Sequence, residues 1–253
     1  MRNRLVIALA VCALVFSSAC AQDEQGDSTA SPASTAAAGG VSLEVADPPT
    51  KLKGNVVQAQ VTVKGVQIVK ADGDTSGKTG HLHAFIDREP VEVGQTIPVE
   101  KGIVHSAENP LTLYGLSEGS HEVTVVLGDG THKRIHEGVE ETFNFDVEGP
   151  TVKATVEGTT VKLASDGVDI KAPDGDASGK TGHYILLIDP AAAPKPGVAI
   201  PTTDKSKFIH TTESSVPLTG LTPGDHIVYA VVANGAHAPL TPLVADRVTV
   251  TVK

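Results

Sequence analysis

The sequence predicts an all-β protein built from two tandem immunoglobulin-like or fibronectin-III-like antiparallel sandwiches. Three observations carry that expectation. Residues 72–81 read Asp-Gly-Asp-Thr-Ser-Gly-Lys-Thr-Gly-His, and residues 174–183 repeat them with one change, Ala for Thr. The copies stay in step at Ile86-Asp87 and Ile188-Asp189, then at His105 and His210, His121 and His226, and His132 and His237. The offset is 102 residues through the first shared stretch and 105 at the later histidines, so one short insertion separates two copies of a small domain. Secondly, helix signals are absent, Val and Thr are frequent, and Gly and Pro punctuate the chain at short intervals. Thirdly, Leu116-Ser-Glu-Gly119-Ser-His121 and Leu221-Thr-Pro-Gly224-Asp-His226 have the form of the corner before the sixth strand of such sandwiches, with His where Tyr is usual.

The chain opens with Arg2 and Arg4, an apolar run from Leu5 to Phe16, and a small-residue exit. This reads as a signal peptide over 1–20, too short to span a membrane. Ser17-Ser18-Ala19-Cys20 fits a permissive lipobox, which predicts lipidation of Cys20 and a membrane partner through that anchor. Ala19-Cys20-Ala21 also obeys the small-residue rule of ordinary cleavage, so a freely secreted protein is the alternative. Residues 21–40 are rich in Ala, Ser, Thr, Gly and Asp without apolar periodicity, and read as a disordered tether.

Cys12 lies in the leader, and no cysteine follows Cys20. Disulfides, thiolate metal sites and blue-copper chemistry are therefore excluded from the domains. Loss of Arg2 and Arg4 with the leader takes the formal charge from −10 to −12, which disfavours nucleic acid as a partner. With one Met, no Trp and few aromatics, the core must be Val, Leu, Ile and Ala.

Copy one is assigned to residues 41–148. Val56 to Val63 alternate as a half-buried strand. The Asp-Gly-Asp loop follows, and its Gly-Lys-Thr is not a phosphate loop. Only three residues separate Gly73 from Gly77, no helix follows, and Asp72 and Asp74 would repel the phosphate. Asp72, Asp74 and Ser76, like Asp174, Asp176 and Ser178, have the spacing that opens a calcium loop. His83 and Ile185 stand where the closing acid belongs, so such a site would be weak. His81 opens the next strand with His83 two residues on, which puts both on one side about 7 Å apart. After the corner, His121 alternates with Val123, Val125 and Leu127, faces the core, and bonds backbone; His226 is read the same way. Glu148-Gly149-Pro150 breaks the chain, and copy two occupies 149–253, closing on the alternating Arg247 to Val252.

In this topology the start of the third strand and the loop after the sixth lie at one end. His81, His83 and His132 are expected to converge there, with His105 or His136 as a further ligand. His183, His210 and His237 are the counterparts in copy two, where Ile185 replaces His83. Neutral imidazoles suit Zn²⁺ or Cu²⁺, and a single Met speaks against a Cu(I) site.

Gly80-His-Leu-His-Ala-Phe-Ile-Asp87 and Gly182-His-Tyr-Ile-Leu-Leu-Ile-Asp189 resemble the Gly-His-His-His-Leu-Leu-Ile-Asp stretch of a bacterial family known only as a domain of unknown function. Further shared features are the Ile-His strand end at His210, the turn before His121 and His226, and the loop from Leu127 to His132. The resemblance implies exported sandwich modules and no activity. The function expected is a non-enzymatic binding module at the cell envelope, its protein or small-ligand partner unspecified. Tandem structural or adhesive spacers are the alternative. A metal-dependent enzyme ranks third, since His-Glu-x-x-His is absent.

Overall fold

The structure is a computed structural model that describes residues 40–253. Residues 1–39, with the expected leader, Cys20 and the tether up to residue 39, lie outside the described residues. All regular structure among the described residues is β. Copy one forms β1 (Ser42–Ala46), β2 (Lys51–Leu52), β3 (Val57–Lys64), β4 (Gln67–Ile68), β5 (Thr79–Ile86), β6 (Ile103–Ser106), β7 (Leu111–Leu113), β8 (Gly119–Gly128) and β9 (Arg134–Val147). Copy two forms β10 (Thr151–Glu157), β11 (Thr160–Asp166), β12 (Asp169–Ile170), β13 (Thr181–Ile188), β14 (Phe208–Thr211), β15 (Ser215–Pro217), β16 (Gly224–Ala233) and β17 (Ala245–Val252).

Each copy is a fibronectin-III-like sandwich. In copy one the sheet β1-β3-β7 faces the sheet β2-β9-β8-β5-β4, with β6 also on β5. Copy two repeats this as β10-β11-β15 against β12-β13-β16-β17, with β14 on β13. Pairing is antiparallel except for three short parallel pairs, β2 with β9, β4 with β5 and β12 with β13. Those departures from the expected antiparallel pattern involve two residue pairs each and lie at sheet edges.

Strand β3 alternates buried and exposed residues because only one face meets the core. Strand β5 differs, with Gly80 to Phe85 all buried. Leu82 and Ala84 enter the sandwich core beside Val57, Leu111, Val123 and Val125. His81, His83 and Phe85 take the opposite face, which the β5–β6 connection covers. There Phe85, Ile97, Ile103 and Val126 form a second small core. Copy two does the same with Ile185, Leu187, Ile200, Val231, Ala233 and Ala245. Ile185 thus joins an apolar cluster at the position where copy one carries His83.

The copies touch through hydrogen bonds and through Val56 and Tyr114, which pack on the outer cluster of copy two. Asn55 is fully buried, donates from Nδ2 to the Val152 carbonyl at 2.7 Å, and accepts the Ala245 N–H at 2.9 Å. The Gly115 N–H donates to the Ala245 carbonyl at 3.0 Å, and Lys153 Nζ donates to the Gly115 carbonyl at 2.8 Å. A Cβ on Gly54 would stand 2.6 Å from the Leu243 carbonyl oxygen, so glycine permits the approach.

Candidate metal centre

Strand register builds the site. His83 on β5 lies opposite His105 on β6, while His81 pairs with Gly128 at the end of β8. The β8–β9 turn then brings in His132, whose backbone is left-handed at φ 63°. Histidine is among the few side chains enriched in that region. One ligating nitrogen from each of His81, His83, His105 and His132 lies within 4.8 Å of all the others. His132 Nδ1 is 3.1 Å from His81 Nε2, 3.1 Å from His105 Nδ1 and 3.4 Å from His83 Nε2. Three ring nitrogens thus face His132 Nδ1, and a cation among the four would take up their lone pairs.

Copy two assembles three imidazoles in the same way. His183 Nε2, His210 Nδ1 and His237 Nδ1 are 3.1 to 3.3 Å apart. His237 repeats the left-handed backbone at φ 62°. Burial, and then the charge that neighbouring imidazoles would carry, lowers His81 and His183 to about 4 and His83 to about 2. Those rings are therefore neutral at pH 7, the state in which imidazole ligates a metal. His105 Nε2 donates to the Pro98 carbonyl at 3.1 Å and His210 Nε2 to the Pro201 carbonyl at 3.2 Å, so each Nδ1 is left free to ligate. The Nδ1 atoms of His81, His83 and His183 are buried without a hydrogen-bond partner among the described residues.

His136 does not join the cluster; its Nε2 faces the Gly77 carbonyl at 3.3 Å. His121 and His226 stand apart as structural groups. His121 donates to the Ser117 carbonyl at 2.8 Å and to Asp87 Oδ2 at 2.7 Å; His226 donates to the Thr222 carbonyl at 2.8 Å and to Asp189 Oδ2 at 2.6 Å. The backbone contact is the one read from sequence, whereas the carboxylate partners were not read. Their signal was in view, because Ile-Asp closes the motif in both copies.

In the Asp-Gly-Asp loops the carboxylates accept bonds from the loop itself. Asp72 Oδ1 takes the Asp74 N–H at 2.9 Å, and Asp74 takes the Ser76 N–H at 2.9 Å and the Ser76 and Thr79 hydroxyls at 2.7 Å. Asp174, Asp176 and Ser178 repeat the pattern. These loops dock on the ligand turn. The Gly73 N–H donates to the Gly130 carbonyl at 3.0 Å and the Gly130 N–H to the Asp74 carbonyl at 2.8 Å. In copy two the Gly175 N–H donates to the Gly235 carbonyl at 2.9 Å. The repeated motif therefore fixes the turn that presents His132 or His237.

Sequence reasoning missed three contributors. A Cβ on Gly128 would stand 2.2 Å from His83 Cε1, so the imidazole fits only over glycine. Copy two has Ala233 there, opposite His183, and Ile185 in place of His83. That paired change between the copies was the available signal. Asp129, 4% exposed, holds the turn by accepting the Thr131 and Lys133 N–H groups at 2.8 and 3.0 Å; Asn234 does this in copy two without a charge.

The family model described as Domain of unknown function (DUF4399) matches residues 59–148 and again 161–253, and the chain belongs to that family. No curated protein matches it. Among solved structures it is similar to the fibronectin(III)-like modules of Clostridium thermocellum CbhA, at 14% identity, 83% of this chain, 94% of that chain and a TM-score of 0.26. A tetra-tandem repeat from the extending region of a large adhesion protein matches at 14% identity, 87% and 50% coverage, and a TM-score of 0.23. The Bacteroides ovatus glucan-utilisation protein SGBP-B, solved with a mixed-linkage heptasaccharide, matches at 14% identity, 83% and 47% coverage, and a TM-score of 0.24.

Proposed function

We propose that this chain is an exported envelope protein, anchored through Cys20, whose sandwich modules bind Zn²⁺ or Cu²⁺ without catalysing a reaction. The observation that carries the reading is the convergence of four imidazole nitrogens within 4.8 Å, drawn from two strands and a turn. An all-nitrogen donor set of this kind suits Zn²⁺ and Cu²⁺ better than hard oxygen-seeking cations. Copy one, with four imidazoles and the Asp129 carboxylate nearby, is the tighter site. Copy two, with three imidazoles and Asn234, is the weaker.

The mature chain, made without a polyhistidine tag, should carry metal by elemental analysis. It should titrate with Zn²⁺ or Cu²⁺ in two steps. His83→Ile removes one of four ligands and should weaken the tight step by well over tenfold, because loss of outer partners alone costs about 10–100-fold. A chain that takes up neither ion, or a tight step unmoved by His83→Ile, would leave the histidines structural and favour the spacer reading.

A further inference from the structure

The copy-one histidines open onto a cleft between the two sandwiches. Its volume is about 500 Å³, and its lining includes His81, His105 and His132 together with Tyr114, Tyr229 and Arg247. That volume lies within the roughly 300–1,000 Å³ of small-molecule sites. Tyr229 and Arg247 come from copy two, where they face each other across β16 and β17. The site is therefore incomplete in either copy alone.

Three features of the remaining lining select a ligand. Arg247 is exposed and forms no ion pair among the described residues. A free guanidinium is a fork for a carboxylate. Tyr114 and Tyr229 meet edge to face, with centroids 5.4 Å apart and planes at 77°, which offers an aromatic surface to a flat molecule. Burial pushes the Tyr114 hydroxyl up to about 12, so it remains a hydrogen-bond donor at neutral pH. Lys70 and Glu108 also line the cleft.

We propose that this cleft binds a small planar carboxylate, one oxygen on the copy-one metal and the negative charge shared with Arg247, its flat body against Tyr114 and Tyr229. The proposal rests on the metal reading given above. Four imidazoles still leave Zn²⁺ able to take a fifth ligand, and three of the four line the cleft. The depression beside His210 and His237 is lined by Thr202, Lys205, Phe208 and Ile209, without a tyrosine pair or an arginine.

The test uses the mature full chain, loaded with Zn²⁺ and dialysed, with phthalate as the probe and acetate as the probe lacking a flat body. Calorimetry should show phthalate binding the loaded chain at least tenfold tighter than the metal-free chain, and tighter than acetate. Arg247→Gln should lower phthalate affinity at least tenfold and leave Zn²⁺ uptake unchanged. Tyr229→Leu should weaken phthalate more than acetate. If Zn²⁺ binds and phthalate ignores both the metal and Arg247→Gln, the cleft proposal alone is overturned. If the chain takes up no Zn²⁺, the metal reading fails and the ligand as described fails with it.

Discussion

At the scale of single residues, the pair His83 and Gly128 explains why the copies differ. The imidazole occupies the space that a Cβ at 128 would need, with only 2.2 Å between the positions. Contacts below 3 Å force movement, and overpacking of this kind costs about 1–3 kcal/mol. Gly128→Ala should therefore destabilise the chain by that amount and displace His83 from the ligand set. In a His83→Ile background the same change should cost less than about 1 kcal/mol, because copy two already holds Ile185 with Ala233 on the same register. A double-mutant cycle followed by urea unfolding reads this coupling directly. Equal costs in both backgrounds would show that the glycine is there for another reason. The clustering histidines were legible in the sequence, since their spacing repeats. The glycine was not, because nothing local marks it; only comparison of the two copies reveals that 83 and 128 changed together.

At the scale of elements, the strands with clean alternation were legible. Val56 to Val63 became β3, and Arg247 to Val252 lies inside β17. Two-residue β4 and β12 were not, since two residues carry no periodicity. Nor was the cover formed by the β5–β6 connection, whose Ile97 N–H bonds the His132 carbonyl at 2.7 Å. Its burial depends on tertiary packing, and the Ile200 to His237 bond repeats it at 2.9 Å. A second inter-element tie has a pH signature. His226, at the start of β16, is raised by the Thr222 carbonyl and by Asp189 at the end of β13. Asp189 is lowered, chiefly by its bond with His226. A raised histidine contributes stability that is complete below its unfolded value of about 6.5. That contribution disappears as pH climbs through the higher folded value. A lowered carboxyl contributes above its unfolded value near 3.9 and loses that contribution as pH falls through the folded one. The tie is thus strongest between about pH 4 and pH 6.5. The difference in urea midpoint between the wild type and Asp189→Asn should shrink as pH rises from 6 to 8.5, which isolates the tie from the lowered histidines of the clusters. A variant with the wild-type slope would remove the tie from the account.

At the scale of the whole molecule, the duplication predicts two cores, and each copy does have its own. What the repeat cannot disclose is the junction, because the residues that make it are not repeated. Asn55 is the clearest case. Its side chain satisfies the Val152 carbonyl and the Ala245 N–H, both from copy two, while its own carbonyl accepts the Leu116 N–H at 3.2 Å. Val56 and Tyr114 of copy one also pack on the outer cluster of copy two. Two sandwiches joined in this way should unfold together, even though each half has enough core to be tested as an independent folding unit. Asn55→Ala leaves a buried carbonyl and a buried N–H without partners, at about 1–3 kcal/mol for each group. That loss falls on the junction and spares both interiors. Differential scanning calorimetry of the mature chain should therefore give one transition for the wild type, with calorimetric and van't Hoff enthalpies in agreement. The Asn55→Ala chain should give two overlapping transitions, with a van't Hoff enthalpy well below the calorimetric one. The metal step of copy two should be nearly unchanged in that variant, because none of His183, His210 and His237 touches Asn55. Two separate transitions already present in the wild type would show that the junction transmits no stability.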